Sequence, residues 1–264
     1  MPKIEVNDIQ MYYETRGEGE PLLLIAGIGQ DHHTWGRVTP HLEQQFQLIL
    51  PDNRGVGETD MPDMTYTVEL MASDFLQLLD ELEIDAAHVV GHSLGAAIAF
   101  EMGRVQPERM RKVVMMSGLY PGPKVAMPSA EAMELLTDRS GDPEDLVKRG
   151  IRAATAPGFE ERQPELFGAL TQAGLGRTQP PEIYQRQSGA GALYLQKDHL
   201  AEGFEPPLLL IYGEHDQVAP PDNGTRIHAE LPKAKMNLIP DAGHFLHVEQ
   251  PEAVTDAILE FLEG

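Results

Sequence analysis

Gly91-His92-Ser93-Leu94-Gly95 carries more information about the architecture than any other part of the sequence. A short, mostly apolar run, Ala87–Val90, precedes it and predicts a strand, and the apolar residues of Leu94–Phe100 predict a helix. A G-x-S-x-G pattern between a strand and a helix is typical of a nucleophile elbow, a strained turn that exposes the serine hydroxyl. The two glycines lack Cβ atoms, which lets the strand and the helix approach each other closely. The pattern predicts that Ser93 is a nucleophile.

The partners of such a serine are sought further along the chain. A serine hydroxyl needs a neighbouring base, and the base needs an acid that orients it. In an open parallel sheet these groups lie in loops at the carboxyl ends of strands. Two loops that follow predicted strands meet this condition, Gly213-Glu214-His215-Asp216 and Asp241-Ala242-Gly243-His244. They offer His244 as the base, and as the acid they offer Glu214, Asp216 or Asp241.

Strands and helices alternate through most of the chain, which predicts an α/β fold with a mostly parallel, twisted sheet flanked by helices. An N-terminal hairpin is predicted to turn at Asn7-Asp8, and the continuous apolar run Leu22–Ala26 predicts a strand buried on both faces. A short helix is predicted around Trp35–Gln44. Between residues 122 and 206 the alternation gives way to several predicted helices, one of them over Glu160–Gln172, with frequent Pro and Gly. We therefore expect a core of residues 1–121 and 207–264 and a helical insertion of residues 122–206.

The composition excludes several classes of protein. The formal net charge is −22, with the acidic residues scattered along the chain, whereas nucleic acids and anionic membranes attract basic patches. We therefore expect no nucleic-acid and no membrane partner. The absence of cysteine excludes disulfides, thiolate metal ligands and cysteine nucleophiles. No secretory signal pattern is found and no apolar stretch reaches the roughly 18 residues that span a bilayer, so the sequence predicts a cytoplasmic protein, and it is compatible with a homo-oligomer.

The chain resembles the α/β-hydrolase superfamily, in particular its small serine esterases and enol-lactonases. The motifs that carry this resemblance extend over most of the chain: Leu24-Ile25-Ala26-Gly27-Ile28-Gly29, Asp52-Asn53-Arg54-Gly55-Val56-Gly57-Glu58-Thr59-Asp60, the Ser93 pentapeptide, Gly213-Glu214-His215-Asp216, and Gly243-His244 followed by Glu249-Gln250-Pro251. The resemblance implies the α/β-hydrolase fold. It also implies that the insertion at residues 122–206 is a helical cap between two strands.

The resemblance further implies a role for each site residue. Ser93 is expected to be the nucleophile, His244 the general base, and Asp216 the acid that fixes the imidazole tautomer. The backbone N–H groups of Ile28 and Leu94 are expected to form the oxyanion hole. The activity implied is hydrolysis of carboxylic esters of small to medium uncharged substrates through an acyl-enzyme on Ser93, with no metal and no organic cofactor.

Other interpretations stay open at this point. The same three residues serve lactonases and carbon–carbon bond hydrolases, so the small-molecule substrate can be an ester or a lactone, and a non-catalytic binding protein of the same fold is a further alternative. The H-x-x-H spacing of His244 and His247 lacks the surrounding zinc-hydrolase pattern, so we expect no metal there. Gly27-Ile28-Gly29 lacks the third glycine of a dinucleotide-binding motif. His92 is expected to pack or hydrogen-bond beneath the serine rather than act as a second base.

Overall fold

An eight-stranded sheet forms the centre of the computed structural model, which describes residues 3–122, 125–138, 140–177, 179–198 and 201–264. The strands are β1 (Lys3–Val6), β2 (Ile9–Arg16), β3 (Glu20–Ile25), β4 (Phe46–Pro51), β5 (Ala87–His92), β6 (Met110–Met116), β7 (Leu208–Gly213) and β8 (Lys235–Ile239). They pair in the order β1-β2-β4-β3-β5-β6-β7-β8. β1 and β2 pair antiparallel, as do β2 and β4, and the pairs from β3 to β8 are parallel. The predicted mostly parallel sheet and the hairpin at Asn7-Asp8 are confirmed.

Helices cover both faces of the sheet. They are α1 (Thr39–Leu42), α2 (Val68–Glu81), α3 (Leu94–Val105), α4 (Ala130–Thr137), α5 (Pro143–Ala154), α6 (Phe159–Arg162), α7 (Pro164–Gly176), α8 (Pro181–Tyr194), α9 (Asp222–Glu230), α10 (Leu246–Glu249) and α11 (Pro251–Glu263), with 3-10 turns at His32–Trp35 and Pro107–Arg109. α2 and α3 pack on one face, and α1 and α11 pack on the other. Among the described residues, no helix is both long enough and apolar enough to cross a membrane.

β3 demonstrates how the sequence produces this layered arrangement. Successive side chains of a strand point to opposite faces of the sheet. Leu23 and Ile25 accordingly lie in the apolar layer with α2 and α3, whereas Leu22 and Leu24 lie in the layer with α1 and α11. All four are fully buried, which confirms the prediction of a strand that is buried on both faces.

The short helix predicted around Trp35–Gln44 is present, but it covers only Thr39–Leu42. Before it, the chain forms the 3-10 turn His32–Trp35, continues through Gly36 and begins α1 at Thr39. Pro40 accounts for the difference, because a proline has no N–H to donate within a helix and its ring clashes with the preceding turn. Pro40 is tolerated in the first turn of α1, where it now lies.

Between β6 and β7 the described residues form α4 to α8. The single helix predicted over Glu160–Gln172 is instead two helices, α6 and α7, which meet at Gln163 directly before Pro164. Ile151, Phe159 and Phe167 form a small apolar cluster of their own, separate from the two layers on the sheet. The division into a core of residues 1–121 and 207–264 and a cap of residues 122–206 stays a prediction.

Candidate active site

Ser93 occupies the sharp turn between β5 and α3. Its backbone has φ 55° and ψ −117°, a strained conformation that non-glycine residues rarely adopt. A Cβ atom on Gly91 would run into the backbone of Gly95, and one on Gly95 would run into the backbone carbonyl of Ile25. Both glycines are therefore required by close approach of the strand and the helix, as the sequence predicts.

Three side chains from distant parts of the chain meet at this turn. His244 Nε2 lies 3.0 Å from Ser93 Oγ, and its Nδ1 lies 3.0 Å from Asp216 Oδ2. A neutral imidazole with its proton on Nδ1 donates to Asp216 and accepts from the Ser93 hydroxyl. His244 and Asp216 are both buried, which shields these hydrogen bonds from water. The structure thus brings Ser93, His244 and Asp216 into one hydrogen-bonded chain.

Asp216 is held in place by the loop that follows β7. Its Oδ1 accepts hydrogen bonds from the N–H groups of Val218 at 2.9 Å and Ala219 at 2.7 Å, while Oδ2 faces the imidazole. Of the two other carboxylates offered by the sequence, Glu214 and Asp241 are both exposed and neither bonds to His244. Asp216 is therefore the one of these three carboxylates that contacts His244.

Two further histidines pack behind His244. The rings of His92 and His244 lie 4.8 Å apart, and those of His92 and His247 lie 4.6 Å apart. His92 Nε2 donates to the backbone carbonyl of His244 at 2.9 Å. Burial, reinforced by the neighbouring imidazoles, holds the pKa of His92 well below its usual value. His92 is thus a buried, hydrogen-bonded residue beneath the serine, as the sequence predicts.

The loop after β3 lies directly against the serine. A Cβ atom on Gly27 would come within 3.1 Å of Ser93 Cβ. Ile28 is half-buried and packs against the apolar layer that contains Leu94. In the described part of the chain, neither the N–H of Ile28 nor that of Leu94 donates a hydrogen bond. These two predicted oxyanion donors are consequently not occupied by other protein groups.

Glu249 fixes the loop that carries His244. This buried carboxylate accepts from the N–H of Gly243 at 2.8 Å and from the N–H of Ala156 at 2.8 Å. Burial raises the pKa of the Glu249 carboxyl, against the lowering effect of the two N–H donors. One side chain thereby connects the loop that carries His244 to the helical segment between β6 and β7. The sequence offers Glu249 only as part of a family motif, without a role.

Asp31, His32 and His33 could in principle hold a cation, since their ligand atoms lie within 4.8 Å of one another. Their ligand atoms already contact one another or neighbouring charged groups. His32 Nδ1 lies 2.7 Å from Asp52 Oδ1, His33 Nδ1 lies 3.2 Å from Asp31 Oδ1, and Arg177 Nε lies 3.4 Å from Asp31 Oδ2. We interpret the group as an ion-pair network and assign no metal to it.

Sequence reasoning missed two glutamines that hold the loop after β3. Gln30 Oε1 accepts from the Gly27 N–H at 3.1 Å, and Gln187 Oε1, from α8, accepts from the Gly29 N–H at 2.9 Å. Gln187 is distant in sequence and belongs to no motif. No signal in a single sequence distinguishes it from the other polar residues of its helix.

Known proteins resemble the chain over nearly its whole length. A family model described as the alpha/beta hydrolase fold matches residues 20–251. A Mycobacterium tuberculosis protein whose provisional name is non-heme bromoperoxidase BpoC is 30% identical over 96% of this chain and 97% of its own length. The 2-hydroxy-6-oxononadienedioate/2-hydroxy-6-oxononatrienedioate hydrolase 2 of Pseudomonas putida is 27% identical over 97% of this chain and 92% of its own.

The chain also resembles a solved structure over nearly its whole length. A thermophilic esterase from Thermogutta terrifontis superposes with a TM-score of 0.80 and is 26% identical, covering 99% of this chain and 97% of that protein. The two proteins therefore share the same fold. With the family model matched from residue 20 to residue 251, the chain belongs to the alpha/beta hydrolase fold family.

Proposed function

We propose that the protein is a serine hydrolase that cleaves carboxylic esters of small to medium uncharged substrates through an acyl-enzyme on Ser93. The observation that carries the proposal is the unbroken hydrogen-bonded chain from Ser93 Oγ through both nitrogens of His244 to Asp216. The esterase from Thermogutta terrifontis, at 26% identity, supports the ester class.

The first half of the reaction forms the acyl-enzyme. Ser93 Oγ attacks the ester carbonyl carbon while His244 Nε2 takes the hydroxyl proton. The carbonyl oxygen becomes an oxyanion, to which the N–H groups of Ile28 and Leu94 donate; loss of one such donor typically costs about 10²–10³-fold in rate. The imidazolium then gives its proton to the departing alkoxide, and the acyl group stays on the serine.

The second half releases the acid. A water molecule attacks the acyl carbon and His244 takes its proton, so that the same two N–H groups face the new oxyanion. The intermediate collapses, the proton returns to Ser93 Oγ, and a carboxylic acid leaves. Asp216 throughout holds the imidazole in the tautomer with its proton on Nδ1 and stabilises the imidazolium.

The net charge favours uncharged substrates. A formal charge of −22 produces a negative field around the protein that disfavours the approach of anionic molecules. The field does not oppose the approach of neutral esters. An uncharged ester of small to medium size is therefore the substrate class that we propose.

Ester turnover and active-site labelling test the proposal. Ser93→Ala is expected to reduce hydrolysis of p-nitrophenyl esters by at least about 10³-fold and to abolish labelling by a fluorophosphonate probe, with an unchanged circular dichroism spectrum. Ser73→Ala, which alters an exposed serine of α2, is the matched control and should turn over and label like the wild type. If ester hydrolysis persists in Ser93→Ala, Ser93 is not the nucleophile and the proposal is wrong.

The alternative is a lactonase or a carbon–carbon bond hydrolase that uses the same residues. The Pseudomonas putida relative, named as a hydrolase of an oxo-dienedioate, is the observation that favours this candidate. A panel of esters, lactones and 2-hydroxy-6-oxo dienoates, compared by kcat/KM, separates the two. Preference for the ester by a large factor supports the first proposal, and preference for a lactone or dienoate supports the alternative.

A further inference from the structure

One buried side chain of α8 connects two loops of the sheet. Gln187 is fully buried, and its Oε1 accepts from the Gly29 N–H at 2.9 Å. Its Nε2 donates to the backbone carbonyl of Arg54 at 3.0 Å. The loop after β3 and the loop after β4 are thereby held together by a residue that lies more than a hundred positions further along the chain.

The partners fix the orientation of this amide. The Gly29 N–H can only donate and the Arg54 carbonyl can only accept. Gln187 Oε1 therefore faces the Gly29 N–H, where it also accepts from Gln179 Nε2 at 3.4 Å, and Gln187 Nε2 faces the Arg54 carbonyl. A buried polar group that loses its partner pays the full cost of desolvation, so the two bonds resist separation. Gln187 is therefore a rigid connection.

The same bonds determine which N–H of the loop after β3 stays free. Gln30 occupies the Gly27 N–H, and Gln187 occupies the Gly29 N–H. The Ile28 N–H lies between them and, among the described residues, donates to no acceptor. Gly29 has φ +69°, a left-handed turn whose sharpness depends on the contacts that hold it. The two glutamines thus leave one donor available beside Ser93.

We propose that Gln187 is the positioning residue of the oxyanion hole, which it holds in shape from α8. The inference rests on the proposed function, because it assigns Ile28 as a donor to the oxyanion. It makes the packing of α8 a condition for catalysis. When α8 moves away from the sheet, the Gly29 N–H loses its acceptor and the Ile28 N–H loses its fixed direction. The transition state is therefore stabilised only while α8 is packed against the loop after β3.

The kinetic test replaces the amide with a thioether of similar length. Gln187→Met is expected to lower kcat for a p-nitrophenyl ester by about 10²-fold with little change in KM, because the donor acts in the transition state. The affinity for phenylboronic acid should fall in parallel, since its adduct on a serine places a charged oxygen at the same donors. A loss confined to KM would overturn the proposal.

Arg186, the neighbour of Gln187 on α8, provides the matched control. Its Nη1 donates to the Pro62 carbonyl at 2.9 Å, so it also connects α8 to the segment after β4, but among the described residues it makes no hydrogen bond to the loop after β3. Arg186→Met should leave kcat and boronate affinity close to those of the wild type. Equal losses in the two variants would assign the effect to general packing and overturn the proposal.

Hydrogen exchange provides a measurement that is independent of activity. In Gln187→Met, exchange of the Gly29 amide should accelerate relative to the wild type, and in Arg186→Met it should not. If the wild type hydrolyses no ester, the proposed function fails, whereas exchange still decides whether Gln187 holds the loop. If Gln187→Met does not fold, Gln187→Asn keeps a buried amide that is one methylene too short to reach both loops, and the same acceleration is expected. Unchanged exchange in a folded variant overturns the inference.

Discussion

The burial of His247 leads to a specific prediction about how the free energy of unfolding changes in acid. It is fully buried on α10, its ring lies 5.2 Å from that of Trp35, and its Nε2 lies 3.0 Å from Thr34 Oγ1. Burial, with a smaller contribution from the nearby His244, lowers the pKa of His247 from 6.5 to about 3. The folded protein therefore keeps this imidazole neutral at pH values where an unfolded chain protonates it.

The sign and the size of the effect follow from proton linkage. Between the two pKa values the unfolded chain binds a proton at His247 that the folded chain does not bind. The contribution to the free energy of unfolding is therefore fully present above the unfolded value of 6.5 and is lost as the pH falls toward about 3. The slope approaches about 1.4 kcal/mol per pH unit, which amounts to a loss of about 2.5 kcal/mol between pH 7 and pH 4.5 from this residue.

Urea unfolding at pH 7 and pH 4.5 measures this contribution. His247→Gln keeps an amide near Thr34 but cannot titrate, so the difference in unfolding free energy between the two pH values should shrink by about 2.5 kcal/mol. Thr34→Val is the control, because it removes the hydrogen bond to His247 and leaves the titrating ring in place. It should lower stability at both pH values and preserve the difference. If His247→Gln loses as much stability on acidification as the wild type, the attribution to His247 is wrong.

Three other substitutions test the surrounding framework. Gly95→Ala should abolish soluble, folded expression, because the added Cβ runs into the backbone of β3; a folded variant with a normal circular dichroism spectrum would refute the steric reasoning. Glu249→Gln turns an NH₂ group toward one of its two N–H donors and should cost about 1–3 kcal/mol in urea unfolding, together with a lower kcat. Asp74→Ala removes the fully buried partner of the fully buried Arg54 guanidinium and should cost about 3–5 kcal/mol; a cost below 1 kcal/mol would show that the pair is dispensable.

The fold and the positions of the central side chains were accessible from sequence for a definite physical reason. A nucleophile elbow is a local motif whose glycines are dictated by sterics, and parallel strands bring the loops at their carboxyl ends to one edge of the sheet. Ser93, Asp216 and His244 follow three such strands, and the structure brings them within hydrogen-bonding distance. Their catalytic roles stay a prediction that the Ser93→Ala experiment tests.

The features that could not be predicted from the sequence depend on contacts between distant residues or on a single residue that overrides the local pattern. The short helix predicted around Trp35–Gln44 begins only at Thr39, because Pro40 is tolerated in the first turn of a helix and not in its interior. The contact of Gln187 with the Gly29 N–H joins residues 158 positions apart, and a glutamine in a helix carries no signal for such a contact. The acid could be selected from Glu214, Asp216 and Asp241 only with the family resemblance, because all three follow strands.

The three neighbouring imidazoles illustrate how burial assigns different tasks to identical side chains. His92 and His247 lie within ring contact of each other, and His92 lies equally close to His244. A second positive charge about 5 Å from an imidazolium would cost about 3 kcal/mol at an effective dielectric constant of about 20. Burial lowers the pKa of both His92 and His247, so neither adds this charge in the proposed step in which His244 takes the proton of Ser93. Of the three, His244 alone is bonded to a carboxylate, which would compensate the charge acquired in that step. The burial of its neighbours therefore supports the proposal that His244, and not His92 or His247, is the base.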